Sequence, residues 1–395
     1  MMTKAEKEME LYLHIPFCAQ KCAYCDFLSA PADEGTIQEY VDALIKEIEG
    51  YRGSFEDSLV STVFMGGGTP SILKPEQTEE IFETLYKNFH IESNAEITME
   101  VNPGTASPEK ISAWKNAGIN RLSIGLQSVN EKELKLLGRI HDYSQFLDTF
   151  NMASRAGFDN INVDLISAVP GQTKESWVKT LNTVAGLNPR HISAYSLIVE
   201  KGTPFYEMYG EQTAKGKKSG HTFLPLPDEE EERLMYEATR QVLEAKDYHQ
   251  YEISNYAKDG YECRHNLGYW ERVPYLGIGL GASSLIHNTR FHNTTDYREY
   301  LQKISRKETI SREIEHLSLN AQMEEFMFLG LRKIKGISLE RFEKIFGRSI
   351  WDIYGAAIKK LKQEGLIRIE GEKLLLTEHG IDISNYVFCE FLIDE

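Results

Sequence analysis

Three cysteines fall within eight residues, Cys18-Ala-Gln-Lys-Cys22-Ala-Tyr-Cys25, directly after a short apolar run that reads as a strand. Thiolates packed this densely on one loop can converge on one metal centre without the entropy cost of closing a long loop. Two kinds of centre suit them. A zinc ion would add a fourth ligand from His14, Asp26 or Cys263 and form a closed structural site. A four-iron, four-sulfur cube held by the three thiolates would keep one iron open for a small molecule. Structural zinc sites usually pair one C-x2-C with a second pair elsewhere, and this sequence has none.

More chemistry-bearing residues stand at the ends of later β-like runs. Gly66-Gly67-Gly68-Thr69 follows the second run, and without Cβ atoms such a backbone can approach a ligand closely. Glu100 ends the third run, Gln127 the fourth, and Asp164 lies in the fifth. One polar residue at a strand end is ordinary. Three at successive ends, beside a glycine loop and a cysteine triplet, form the pattern of a ligand pocket.

The elements that must carry these residues alternate. The patterns predict strands over Leu11–Ile15, Thr62–Met65, Glu96–Val101, Arg121–Leu126, Ile161–Ile166 and His191–Leu197. Helices are predicted between them at Thr36–Glu49, Pro75–Asn88, Pro108–Ala117, Tyr143–Ala156 and Lys174–Gly186. Repeated β-α units imply an α/β fold with a parallel sheet and right-handed crossovers, open or curled into a barrel. Residues 201–227 read as a mobile surface loop, followed by a helix opened by Asp228–Glu232. Asn320–Lys333, Ser338–Phe346 and Ile350–Glu364 read as helices, and Leu366–Ile369 with Lys373–Leu376 as a hairpin, together a winged-helix-like end. Gly277, Gly279 and Gly281 lack a dinucleotide fingerprint's setting and read as close backbone packing. Cys263 and Cys389 read as buried structural thiols.

Composition sets the outer bounds. The 395 residues allow two or three domains, and 41% hydrophobic with 26% charged residues is ordinary for a globular chain. The net charge of −16 argues against nucleic acid as a partner. Met1–Glu8 has no apolar core of a signal peptide, and no run approaches a membrane-spanning length. Five cysteines without a secretory signal suit a reducing compartment. A cytoplasmic protein is expected, with peripheral attachment to the inner face of a membrane left open.

The motifs also carry a family resemblance. Leu11-Tyr-Leu-His-Ile-Pro-Phe-Cys18-x3-Cys22-x-Tyr-Cys25, Gly-Gly-Gly-Thr-Pro-Ser71, Gly-Leu-Gln127-Ser, Leu-Gly-Arg139-x-His141 and Val-Asp164-Leu-Ile-x-x-Val-Pro-Gly171-Gln appear in one order. They resemble the coproporphyrinogen III dehydrogenase (HemN-like) branch of the radical SAM superfamily, over nearly the whole chain. The resemblance implies a partial (β/α)6 barrel at 1–235, a connecting segment at 236–305 and a C-terminal winged-helix-like domain at 306–395. It further implies a [4Fe–4S] cluster on Cys18, Cys22 and Cys25, with S-adenosylmethionine (SAM) contacted by Tyr12, Gly67 and Glu100. Tyr24, Gly68, Thr69, Gln127, Arg139 and Asp164 match positions that, in the dehydrogenase, contact a second SAM or the far side of the first.

Two departures point within that branch. The dehydrogenase has a fourth cysteine two positions past the triplet, where this chain has Phe27. A His265-Asn266-x-x-Tyr269-Trp270 motif is also present, as in the sister group of haem chaperones of the HemW type. Imidazole is a good axial ligand for haem iron, and aromatic rings pack well on a porphyrin. The resemblance thus favours a haem-binding chaperone that passes haem to recipient haemoproteins, membrane-bound respiratory ones among the candidates, with a cluster-dependent homodimer allowed. A turnover enzyme, the oxygen-independent coproporphyrinogen III oxidase, is the alternative.

Overall fold

Six runs rich in Leu, Ile, Val and Thr form the parallel strands β1 (Glu8–Ile15), β2 (Leu59–Gly67), β3 (Ile91–Val101), β4 (Arg121–Gln127), β5 (Asn160–Ser167) and β6 (His191–Ser196), paired in that order in a computed structural model. The structure describes residues 7–210 and 223–393. Part of the 201–227 loop predicted from sequence therefore lies outside the described residues. Its first part holds a short helix, α7, whose range is given below.

Helices cover the outer face: α1 (Glu34–Gly50), α2 (Pro75–Asn88), α3 (Pro108–Asn116), α4 (Glu131–Leu136), α5 (Tyr143–Arg155), α6 (Lys174–Gly186), α7 (Pro204–Tyr209) and α8 (Glu229–Glu244). Their starts follow local capping chemistry. Asp33 accepts from the Thr36 amide at 2.7 Å, so α1 begins two residues earlier than the apolar pattern predicts. Ser107 caps the α3 start, with Pro108 in the first turn. Leu11, Leu13, Val63, Ile97, Leu122 and Val163 point outward into a continuous apolar core beneath the helices. Alternate residues face the barrel interior, which is polar: Glu10, Tyr12 and His14 on β1, Thr62 on β2, and Glu96, Thr98 and Glu100 on β3.

Six further strands extend this sheet at both edges. These are β7 (His249–Gln250), β8 (Asn255–Ala257), β9 (Tyr275–Ile278), β10 (Ser283–Ile286), β11 (Thr289–Asn293) and β12 (Ser311–His316). β8 pairs antiparallel with β6, while β9 pairs parallel with β1. The short helix α9 (Arg264–Trp270) lies between these two groups, and α10 (Tyr297–Arg306) follows β11. Glu47 of α1 ties the added edge down, accepting from the Gly279 amide at 2.9 Å and the Tyr300 hydroxyl at 2.6 Å. The glycine run is close packing, as its setting predicts: a Cβ on Gly277 would lie 2.2 Å from the Ser283 carbonyl oxygen.

The C-terminal helices α11 (Leu319–Gly330), α12 (Leu339–Phe346) and α13 (Ile350–Gln363) pack on a three-stranded sheet. That sheet comprises β13 (Ile337–Ser338), β14 (Ile367–Glu370) and β15 (Lys373–Leu376). They share a separate apolar core around Phe342, Tyr354, Leu361 and Phe391. Ion pairs join this unit to the segment after α9: Lys333 and Arg341 both engage Glu271. Two short helices, α14 (Glu378–Asp382) and α15 (Ser384–Cys389), close the described chain. Cys389 is exposed, which corrects the expectation of a packed thiol; its helix buries only Val387.

Candidate functional site

At the mouth of the barrel, where the parallel strands end, the cysteine loop is stitched to the glycine loop. The Gly68 and Thr69 amides donate to the Ile15 and Phe17 carbonyls at 2.8 and 2.7 Å. Gly67 has φ +103, and a Cβ there would sit 2.3 Å from the His14 ring; one on Gly68 would meet the Phe17 carbonyl at 2.6 Å. Only glycine fits this approach. The Cys18 amide bonds to the Ala30 carbonyl at 3.2 Å, so the loop leaves and returns along one short bridge.

The thiols have polar neighbours. Thr69 Oγ1 donates to Cys18 Sγ at 3.2 Å, and Arg139 Nη1 approaches Cys22 Sγ at 3.5 Å. Burial pushes the Cys25 thiol up to about 11, with Cys22 and Cys18 adding to the rise. A bound iron would reverse that balance, because a coordinated thiol is deprotonated outright. Three thiols sharing one loop beside the Arg139 cation and a hydroxyl donor fit a cube, which spreads its ligands over different irons. Among the described residues no three His, Cys, Asp or Glu side chains converge as on a single ion. Cys263 cannot be a fourth ligand, since it pairs with Glu96 at the opposite end of the barrel. His14 is occupied too, its Nε2 donating to the Leu28 carbonyl at 2.8 Å while Nδ1 accepts from Tyr12.

Below the cysteines the mouth holds two carboxyls, of which Glu100 has few partners. Glu100 accepts from the Gly67 amide at 3.0 Å. Burial, then Asp164, pushes its carboxyl up to about 8. Asp164 accepts from Ser123 and Asn162 at 2.9 and 2.8 Å, and burial still raises it. Two enclosed carboxylates that repel one another favour a cationic visitor. Gln127 ends β4 at φ +74, an uncommon strained backbone for a side chain of its kind.

Arg139 is held by groups of the chain itself. Its Nη2 donates to the Gly125 carbonyl and to Asn102 Oδ1, both at 2.8 Å, and its Nε donates to His141. Tyr24 packs beside Leu137 and Phe205. The structure thus brings Tyr12, Tyr24, Gly67, Gly68, Thr69, Glu100, Gln127, Arg139 and Asp164 to the barrel mouth with the cysteine loop. Asn102 belongs to the same network and was missed; it lies two residues past Glu100, where only the Asn-Pro pair marks a strand end.

The second motif lies elsewhere. α9 plugs the base of the barrel, at the N-terminal ends of the strands. Glu96 of β3 accepts from the Arg264 and His265 amides at 3.1 and 3.2 Å, holding the helix start. His265 is 1% exposed. Its Nδ1 bonds Thr62 Oγ1 at 2.6 Å and its Nε2 bonds the Tyr269 hydroxyl at 2.8 Å, while Phe64 stacks on the ring. Burial lowers its pKa to about 3, so the imidazole is neutral. Both nitrogens are engaged, so iron ligation by His265 requires Thr62 or Tyr269 to let go. Gly268 lets the helix press on Glu10, where a Cβ would stand 2.0 Å from Oε1. Asn266 and Trp270 are half-buried, and the Arg332 guanidinium lies 4.6 Å from the Trp270 ring centre.

Known proteins resemble this arrangement. Residues 12–184 match the radical SAM superfamily and 317–383 the HemN C-terminal domain. The haem chaperone HemW of Lactococcus lactis is 36% identical over 99% of both chains, and that of Bacillus subtilis 38% over 96% of this chain and 98% of that one. A mitochondrial radical S-adenosyl methionine domain-containing protein 1 from Danio rerio is 32% identical over 94% of this chain and 85% of its own. The solved coproporphyrinogen III oxidase HemN of Escherichia coli superposes with TM-score 0.83 at 24% identity. That match covers 98% of this chain and 91% of that one.

Proposed function

The chain belongs to the HemW family within the radical SAM superfamily, and we propose that it is a haem chaperone, binding haem and passing it to recipient haemoproteins. The observation that carries this is similarity running end to end with haem chaperones, joined to Phe27, 59% exposed, where the dehydrogenases have a fourth cysteine. The likeness to the oxidase structure supports the fold alone.

In this reading Cys18, Cys22 and Cys25 hold a [4Fe–4S] cluster and Tyr12, Gly67 and Glu100 contact SAM. Tyr24, Gly68, Thr69, Gln127 and Asp164 line the rest of the pocket. Such a cluster, when bound, supplies one electron to a chelated sulfonium nucleotide. The chain's own part is electrostatic. Glu100 accepts from the ligand's amino group and Asp164 from its ribose hydroxyls, the glycine loop admits its backbone contacts, and Arg139 offsets thiolate charge.

The His265–Trp270 helix is the haem-bearing element we propose, with α9 leaving the barrel base when iron is ligated. The barrel at 1–235, the segment at 236–305 and the domain at 306–395 then divide cofactor, haem and partner handling. Recipient haemoproteins of the membrane, a cluster-dependent homodimer and a cytoplasmic place of work at the inner face belong to the same proposal. No helix among the described residues is long and apolar enough to cross a membrane.

Haem titration of the purified full chain, with and without reconstituted cluster, tests the reading. A Soret shift that His265→Ala alters is expected; no shift at all would overturn haem binding. A shift untouched by His265→Ala would leave α9 a structural plug and move the iron ligand elsewhere. An anaerobic assay producing protoporphyrinogen IX would replace the chaperone with the oxidase.

A further inference from the structure

Two of the three cluster cysteines receive a hydrogen-bond donor, and both donors are held by one side chain. Asn102 Nδ2 donates to Thr69 Oγ1 at 2.8 Å, and its Oδ1 accepts from Arg139 Nη2 at 2.8 Å. The amide orientation is dictated by chemistry: guanidinium can only donate, so the oxygen must face Arg139 and the nitrogen Thr69. That choice decides where the Thr69 proton goes. With a lone pair taken by Asn102, the hydroxyl turns its single proton toward Cys18 Sγ, 3.2 Å away. The same Arg139 Nη2 also donates to the Gly125 carbonyl and Nε to His141, which leaves Nη1 toward Cys22 Sγ at 3.5 Å. Asn102 is itself fixed, its amide donating to Ser71 Oγ at 3.0 Å and its carbonyl accepting from Thr105 Oγ1 at 2.7 Å. Pro103 further confines it to an extended backbone.

We propose that Asn102 is the positioning residue that sets the reduction potential of the cluster, by aiming Thr69 at Cys18 and Arg139 at Cys22. The inference rests on the reading that these cysteines hold a [4Fe–4S] cube. Hydrogen bonds to cluster sulfurs favour the more negatively charged reduced state and so raise the potential. A donor withdrawn from each of two thiolates lowers it.

The experiment is a one-electron titration with dithionite, followed by EPR, on the anaerobically reconstituted full chain, with iron and sulfide counted beforehand. Asn102→Ala is expected to keep its iron and sulfide while the reduced-to-oxidised ratio at a fixed poise falls about tenfold, equivalent to about 59 mV for one electron. Thr69→Val, which removes only one donor, is expected to show a smaller fall. In the Thr69→Val background Asn102→Ala should add only what the Arg139 arm contributes.

Asn102→Asp separates tuning from mere support. It has the same shape, so a packing role would be rescued. It cannot donate to Thr69, whose hydroxyl would turn to the carboxylate, but it still accepts from Arg139, so tuning predicts that the Thr69 arm stays lost and wild-type potential is not regained. Wild-type potential in cluster-loaded Asn102→Ala, or restoration by Asn102→Asp, overturns the proposal. Should Asn102→Ala fail to load, an unshifted potential in loaded Thr69→Val overturns it as well. Absence of iron and sulfide from the wild-type chain would instead overturn the cluster reading.

Discussion

The mouth and the base of one barrel are built from the same residue types and use them in opposite ways. At the base Glu96 is consumed by the chain itself, accepting two helix amides and the Cys263 thiol. His265 there has both nitrogens bonded and a stacked aromatic neighbour. At the mouth, Glu100 has one backbone donor and a repelling neighbour in Asp164. A carboxylate already satisfied inside the fold has little left for a ligand, whereas an under-partnered enclosed one gains when a cation arrives. Polar residues inside a barrel therefore mark a binding site only where the fold leaves them wanting.

Substitutions at the two ends should separate accordingly. The largest effect is at the mouth: replacing Cys18, Cys22 and Cys25 together by alanine should abolish iron and sulfide in reconstituted protein. Thermal unfolding of the apo form should change far less, because Cys22 and Cys25 are only half-buried on a loop and Cys18, though buried, loses a single sulfur atom. At the base, Gly268→Ala drives a methyl into the Glu10 carboxyl and should cost about 3 kcal/mol of stability, read by denaturant unfolding. An unchanged midpoint would mean that α9 yields easily, and would make its departure for haem more credible.

Glu100→Gln should do the reverse of a core mutation. Because its carboxyl is raised to about 8, the neutral form is the one the fold prefers, and its contribution is present at low pH and lost as pH rises through 8. Gln removes that loss, so the apo variant should be more stable than wild type by a margin that opens above about pH 4.5 and levels off past pH 8, and its SAM affinity should drop about 10–100-fold. The smallest effect has the opposite sign in pH. His265, lowered to about 3, stabilises the fold above its ordinary pKa and loses that contribution as pH falls toward 3. By pH 6 the loss amounts to about 1 kcal/mol, and His265→Asn should flatten it in pH-dependent unfolding.

Much of the barrel was readable along the chain. Capping residues and strong local periodicity placed α2 and α6 at the ends their patterns predict, Pro75–Asn88 and Lys174–Gly186. The short strands β7 to β11 carry only two to five residues each and left no period to read. Their strand state comes from pairing, β8 on β6 and β9 on β1, with β7, β10 and β11 added onto those. Cys263, as a zinc ligand, failed for a related reason. Spacing along a sequence does not say which end of a barrel a residue reaches.

The cysteine triplet, the glycine loop and the strand-end acids needed no coordinates to be recognised, since local spacing and chain order carry that information. Which of two buried polar groups is open to a ligand is a different matter. It depends on partners brought from far along the chain: His265 is silenced by Thr62, and the thiols of Cys18 and Cys22 are joined through Asn102. Such bonds exist only after the strands close, because the energy of a buried polar group is set by its neighbours in space.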